Sequence, residues 1–335
     1  MPVKTKKTTT TLNSSHKMYL HQFNGQKPKI LRKYDSKFSA SKEYMSEMPD
    51  MMLAENAIQG SSVVIQQVGI ANFKLPLNIK IDQKNSIITE ARVTGTVGLA
   101  SHLKGINMSR IMRSFYKFSK QKFDINSLSE ILKSYKKDLN TDTARIKINF
   151  SFPLEVESLR SKLKGFQYYT AAFEAVINKK GEIDRFIELD FVYSSACPCS
   201  AELTEHAREV RGAYGIPHSQ RSKARVKIKL AKSQNVSLVD LRNKFLVALK
   251  TETQVMVKRE DEQAFAEMNG AFIKFVEDAA RLVFAELDKD KRISDFEVFC
   301  SHLESLHSHD AISAICKGID GGFTADYRDF EDLIC

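Results

Sequence analysis

Tyr168–Ile177 (YYTAAFEAVI), Asn178–Gly181 (NKKG) and Ile183–Ser194 (IDRFIELDFVYS) decide the fold. The outer two segments are dense in β-branched and aromatic residues, and the polar break between them ends in glycine, which reads as a hairpin turn between two long arms. Outward from the hairpin, Ala144–Pro153 (ARIKINFSFP) and Ala224–Ala231 (ARVKIKLA) alternate polar and apolar residues with the period of a half-buried strand. Ser62–Ile70, Phe73–Asp82 and Ile87–Gly98 extend the strand pattern upstream, and Ile293–Ser301 extends it downstream. Between them, Ser109–Phe118, Ser127–Leu139 and Leu238–Leu249 carry helical spacing, as does Gln263–Leu287 with a break expected near Asn269-Gly270. Strands, helices and strands therefore occur twice in succession. That order predicts an α+β protein of two tandem units, antiparallel sheets with helices packed on one face. The expected division is a basic leader over 1–55, a first unit over 56–160, a second over 161–318 and a tail over 319–335.

Composition sets the class. In 335 residues, 42% are apolar and 27% charged, a globular balance that excludes disordered, collagen-like and coiled-coil chains as the main body. No apolar run approaches the roughly 18 residues of a membrane span, and the N-terminus lacks the apolar core of a secretory signal, which places the chain in the cytoplasm. Five cysteines, Cys197, Cys199, Cys300, Cys316 and Cys335, are too few and too uneven for a disulfide framework, leaving free thiols or metal ligands. The net charge of +10 is concentrated near the start. Residues 1–50 hold ten Lys or Arg against four Asp or Glu, so the remainder carries only +4. Runs such as Lys4–Thr11 (KTKKTTTT) read as a solubilising leader more readily than as a nucleic-acid contact.

Three polar clusters carry candidate chemistry. Cys197-Pro198-Cys199-Ser200 follows an apolar strand, with His218 downstream in Pro217–Ser222 (PHSQRS). Thiolate and imidazole are zinc-type ligands, and a carboxylate can complete the set; a buried inert cysteine pair fits the local pattern equally well. Lys258–Glu262 (KREDE) opens a helix, where acids complement the macrodipole, so capping accounts for it without a site. Glu277 lies inside the apolar Phe275-Val276-Glu277-Asp278, where it needs a partner, as a salt bridge would supply. In Glu304–Asp310 (ESLHSHD), His307 and His309 share one face of an extended chain, an arrangement suited to metal binding or to acid–base work near neutral pH. No dinucleotide or P-loop fingerprint is present.

Together these segments resemble the type IB GTP cyclohydrolase I family. Gly105–Arg110 (GINMSR) is similar to its GIHMSR, Cys197–Ser200 to CPCS, His218–Ser222 (HSQRS) to HNQRS, Lys258–Glu262 to KRxDE, Phe275–Asp278 to FVED, and Glu304–Asp310 to ESIHNHD. Their order agrees over about residues 60–315. The resemblance implies paired tunnelling-fold units, a homotetramer with active sites near subunit interfaces, and hydrolysis of GTP to 7,8-dihydroneopterin triphosphate and formate on the route to tetrahydrofolate and other pterins. It implies Cys197, His218 and Glu262 as ligands of one divalent ion, Zn, Mn or Fe, with Cys197, Glu304, His307 and His309 as the catalytic group. Glu277 would anchor the guanine edge, and Ser109, Arg110, Arg221, Lys258 and Arg259 are the candidates for the triphosphate.

Three departures accompany the resemblance. Arg208–Gly215 (REVRGAYG) reads as an insertion between the CPCS and HSQRS motifs, Asn107 stands where the family motif has His, and neither the leader nor the residues after Gly318 have a counterpart. Two rival readings remain. A relative of the same fold would make a cyclic phosphate of neopterin, and a basic nucleic-acid-binding protein would use the same Cys and His residues to hold a structural metal. The aromatic residues Tyr19, Phe23, Tyr34, Phe38 and Tyr44 are too sparse among the basic ones to argue for stacking on single strands.

Overall fold

A computed structural model describes residues 32–50, 52, 58–326 and 333. Most of the expected leader, part of the expected tail, Tyr19, Phe23 and Cys335 lie outside the described residues.

The chain divides into two compact units. One comprises residues 1–65 with 99–107; its described part contains the short helix α1 (Lys42–Ser46), capped by the Ser41 hydroxyl. The other comprises 66–98 and 108–335 and carries the sheet.

That sheet has nine strands: β1 (Ile65–Lys80), β2 (Ser86–Leu99), β3 (Lys122–Phe123), β4 (Ala144–Glu157), β5 (Lys164–Ile177), β6 (Ile183–Ala196), β7 (Ser219–Leu230), β8 (Ile293–His302) and β9 (Ala311–Cys316). Their order is β3-β1-β2-β4-β5-β6-β7-β8-β9, antiparallel from β2 to β9, with the two-residue β3 running parallel to β1. The deciding hairpin is β5–β6, with Phe173 opposite Ile187 and Gly181 at φ 83° in its turn. The division expected at 160/161 falls in the turn between β4 and β5, while the order of elements repeats with a break between β5 and β6. Each side of that break reads two strands, helices and two strands, apart from the two-residue β3 among the helices of the first and a helix over Pro198–Arg211 between β6 and β7 in the second.

Period two decides the faces. Ile146, Ile148 and Phe150 of β4, Phe173 of β5, Leu189 and Phe191 of β6, Val226 and Ile228 of β7, and Phe296 and Val298 of β8 are buried on one face. Onto it pack α2 (Met108–Phe118), α3 (Ile125–Asp138), α5 (Leu238–Leu249) and α7 (Val276–Asp288), through Ile111, Leu132, Phe245 and Val283. Gly95 of β2 lies under α2 and α3, where a Cβ would come within 2.9 Å of Ile111 Cγ2 and 3.1 Å of the Tyr135 hydroxyl. The alternate positions carry ion pairs: Arg145–Glu174 at 2.7 Å, Lys227–Glu174 at 2.9 Å, Lys147–Glu188 at 3.2 Å and Arg225–Asp190 at 2.7 Å. The α+β expectation with helices on one face agrees with this arrangement.

Two further helices frame the site. α4 (Pro198–Arg211) runs into the stretch read as an insertion, takes up its first four residues, 208–211, and ends at Gly212, whose φ of 65° is the left-handed cap that glycine accommodates. α6 (Arg259–Ala271) and α7 replace the single interrupted helix expected over 263–287. The break falls at 272–275, later than Asn269-Gly270, because the Lys274 amide donates to the Ala196 carbonyl at 3.3 Å and the Asp278 carboxylate caps the Phe275 amide at 3.1 Å.

Candidate active site

Three neighbouring strand ends build the site. On the helix-bearing face, β6 presents Tyr193 and Ser195 and then leads to Cys197; β7 begins just after His218 and presents Gln220 and Ser222; β8 ends on His302, two residues before Glu304. The register aligns Tyr193 with Ser222 and His302, and Ser195 with Gln220. One step beyond, the Cys197 amide donates to the His218 carbonyl at 3.1 Å. Period two thus brings Cys197, His218 and Glu304 to one edge of the sheet.

Their neighbours fix orientations. Cys197 is the N-cap of α4, and its Sγ accepts the Ser200 amide at 3.5 Å, at a helix end that accommodates negative charge. His218 Nδ1 faces Gln220 Oε1 at 3.1 Å and Glu304 Oε2 at 3.3 Å. Both are acceptors, so Nδ1 is the donor in this arrangement and Nε2 is the ring nitrogen turned away from them. Gln220 Nε2 donates to the Ser195 hydroxyl at 2.8 Å, which sets the amide's orientation, and Ser195 meets Ser222 at 2.8 Å.

Behind this layer the polar groups are fully buried. Tyr193 is 0% exposed and its hydroxyl is 2.9 Å from Nε2 of His302, itself 2% exposed. Burial, assisted by the Lys274 cation, pushes the His302 imidazole down to about 4. Lys274 is 4% exposed; its ammonium donates to the Phe272 carbonyl and lies 3.4 Å from Thr251 Oγ1, and burial pushes it down to about 8. Tyr193, Gln220, Lys274 and His302 were not singled out in the sequence.

Other expected residues stand elsewhere. Glu262 is exposed on α6 and lines a cavity of about 680 Å³ with Arg221, Val192, Gln167, Gln254 and Phe265. Among the described residues no three His, Cys, Asp or Glu side chains are grouped as a metal would require. The acid of KREDE that the fold uses is Asp261: its carboxylate accepts from the Arg160, Ser161 and Lys258 amides and the Ser161 hydroxyl, tying α6 to the β4–β5 turn. These bonds hold its carboxyl well below the usual range. Lys258 and Arg259 are exposed at the start of α6. Glu277 is exposed in the first turn of α7, while His307 and His309 are exposed after β8 with rings stacked at 4.7 Å. Ser109 and Arg110 lie on α2, where Arg110 donates to the Asp138 carbonyl at 2.6 Å.

Comparison with known proteins decides the family. Residues 48–313 match the family described as type I GTP cyclohydrolase FolE2. The chain belongs to that family. The GTP cyclohydrolase FolE2 of Dinoroseobacter shibae is 49% identical over 294 residues, covering 87% of this chain and 80% of that protein. Its counterpart in Ruegeria sp. is 47% identical over 293 residues, with the same coverage. Among solved structures, the uricase of Arthrobacter globiformis superposes with a TM-score of 0.48 at 11% identity, covering 82% of this chain and 99% of that one. The FolE2 match spans the CPCS, HSQRS, KREDE, FVED and ESLHSHD segments, all of which fall within 48–313. No helix among the described residues is long and apolar enough to cross a membrane.

Proposed function

We propose that the chain is a GTP cyclohydrolase that opens the guanine ring of GTP at C8, releasing formate and forming 7,8-dihydroneopterin triphosphate. The observation that carries this reading is the meeting of Cys197, His218 and Glu304 at three adjacent strand ends in a chain of the FolE2 family.

The chemistry of the donors suits a divalent ion of the zinc, manganese or iron class. Cys197 offers sulfur at a helix N-terminus and His218 the Nε2 turned away from its two acceptors; Glu262 is the carboxylate proposed to join them. Such an ion, when bound, lowers the pKa of a coordinated water from about 15.7 toward about 7 and so supplies hydroxide at neutral pH. Glu304 and Gln220 hold the His218 ring. His307 and His309, side by side and exposed, move protons to and from the opening ring. Glu277 accepts the guanine N1–H and 2-amino protons, a pair that adenine does not offer.

The triphosphate residues argue for more than one copy. Ser109 and Arg110 ride on α2, which lies over β2, whereas Arg221 is on β7, with Lys258 and Arg259 at the start of α6. From β2 to β7 is four strand spacings, or about 19 Å across the sheet. A homotetramer whose sites lie between subunits brings both sets to one substrate. α4 has no buried residue and, with the loop after it, exposes Leu203, Val210, Tyr214 and Ile216, an apolar surface suited to a second copy.

The test is formate release from GTP by metal-stripped protein resupplied separately with Zn, Mn and Fe, with the fluorescent oxidised pterin followed in parallel. Formate and a triphosphorylated pterin should appear together with one of the metals. Folded protein releasing no formate with any of them overturns the proposal, and a cyclic phosphate as product selects the rival enzyme of the same fold.

A further inference from the structure

Between β5 and β6 the sheet comes apart. Their ladder stops at the pair Ala171–Leu189, although β5 also covers 164–170 and β6 runs on to Ala196. Residues 251–253 take the place of the missing strand partner: the Ser194 amide donates to the Thr251 carbonyl at 2.8 Å, the Thr253 amide donates to the Val192 carbonyl at 3.3 Å, and Glu252 bridges to Tyr193. The wedge is fixed from the β5 side as well. The Tyr169 hydroxyl of β5 donates to Glu252 Oε1 at 2.6 Å, Arg242 of α5 pairs with the same carboxylate, and a Cβ on Gly165 of β5 would come within 2.9 Å of Val255 Cγ1.

The split leaves room for a ligand. The cavity of about 680 Å³ is walled by Gln167 from β5, Val192 from β6, and Thr253 and Gln254 from the wedge, together with Arg221 and Glu262, and its volume suits a nucleotide-sized molecule. Hydrogen-bonding capacity is left over on this wall. Among the described residues the Gln167 amide and the Thr253 hydroxyl make no side-chain hydrogen bond. Gln254 Nε2 donates to the Glu252 carbonyl at 3.2 Å, which leaves its Oε1 to accept. These groups are neutral, and amides and hydroxyls both donate and accept, a combination that suits sugar hydroxyls and not phosphates.

We infer that this cavity is the ribose pocket and that Gln167 and Gln254 select a ribonucleotide through its 2′- and 3′-hydroxyls. The inference rests on the cyclohydrolase reading, which sets Glu262 near C8 and Arg221 near the triphosphate. In GTP the ribose is the only link between the two: C8 is bonded to N9, N9 to C1′, and the triphosphate to O5′. A cavity with both Glu262 and Arg221 on its wall therefore receives the part of the substrate in between. Glu252, held by Tyr169 and Arg242, fixes the wedge that carries Gln254 against the strand that carries Gln167.

Formate release from GTP, 2′-deoxyGTP and 3′-deoxyGTP tests the assignment, because hydrolysis at C8 uses no ribose hydroxyl. Wild-type kcat/KM should be about 3–10-fold lower for each deoxy analogue, as expected for one hydrogen bond. Gln167→Leu and Gln254→Leu should each lower kcat/KM for GTP by the same factor. Each should also leave the value for one of the two analogues unchanged, since the hydroxyl it would have met is already missing. Equal loss with GTP and both analogues marks a structural role and overturns the inference, as does a wild-type enzyme that does not distinguish the three. Calorimetric binding of the same nucleotides to the same proteins needs no turnover. Discrimination that disappears in the glutamine variants upholds the pocket even if formate is never released, an outcome that refutes the reading of function alone. GTP that binds no more tightly than its deoxy analogues refutes the pocket, even in an active cyclohydrolase.

Discussion

The two halves of the sheet, β1–β5 with α2 and α3 and β6–β9 with α5 and α7, repeat one order of elements over floors that differ at the strand ends. Beneath the helices of the first half lie Val93, Gly95, Ile146, Ile148 and Phe150, and the Tyr135 hydroxyl has one hydrogen bond, to the Ile111 carbonyl at 3.2 Å. The floor of the second half is as apolar beneath its helices, at Leu189, Phe191, Val226, Ile228, Phe296 and Val298, but toward the strand ends it continues into Tyr193, Ser195, Gln220, Ser222 and His302, five buried side chains with polar atoms. An apolar floor gains stability from burial without further conditions. A polar floor is stable only when every donor and acceptor is matched, and in return it fixes orientations that an apolar floor cannot. The first half is built to hold together, and the second to hold side chains at defined angles.

The separation is broken most directly by Cys197→Ala. It should reduce GTP turnover by about 10³-fold or more, as loss of an indispensable catalytic group does. The metal proposed to be held there should no longer be retained by the variant, with the melting temperature of the metal-free protein nearly unchanged; formate release, metal content and calorimetry read the three. In the first half, Leu132→Ala should do the reverse. Leu132 is fully buried, so about 2–5 kcal/mol of stability is lost in denaturant melts, while the turnover of the molecules that remain folded is retained.

Asp261 connects the halves and sharpens the contrast through pH. Its folded pKa is depressed, so its contribution is fully present above the unfolded carboxylate pKa of about 3.9 and is lost as pH falls below that value. The melting temperature of Asp261→Asn should therefore fall less steeply than that of the wild type on acidification from about pH 5 to about pH 3; equal slopes would exclude this role. The smallest effect belongs to Tyr135→Phe. It removes one buried hydrogen bond and should cost about 1 kcal/mol in a denaturant melt, with activity untouched.

The same contrast explains what could be read in advance. Ala144–Pro153 and the β5–β6 arms were recognisable because their core-facing positions are apolar, as a period-two reading requires. The alternation marks β7 only from Ala224, whereas the strand starts at Ser219. Gln220 and Ser222 occupy core-facing positions there and erase the alternation. His302 was hidden at the end of a strand for the same reason. Lys274, between Phe272 and Phe275, has the look of a solvated cation until the Ala196 carbonyl is found to hold its backbone. Cys197, His218 and Glu304 were legible because their chemistry is unusual wherever they fall. Glu262 follows only from the resemblance of KREDE to the family motif, since capping accounts for the acids locally, and its place depends on how Asp261 pins α6 to residues 160 and 161, a long-range tie that spacing does not reveal.

The strand register across β6, β7 and β8 also carries a rule of inheritance. Tyr193, Ser195 and Cys197 step by two, as do Ser222, Gln220 and His218, and His302 and Glu304. A single-codon deletion inside one of these strands would turn its remaining site residues toward the ion-paired face while leaving every one of them in the gene. Loss or gain of two codons together preserves the facing. Lineages descending from this chain are thus free to vary these strands in even steps, and an odd step can silence the enzyme without touching a single residue of its site.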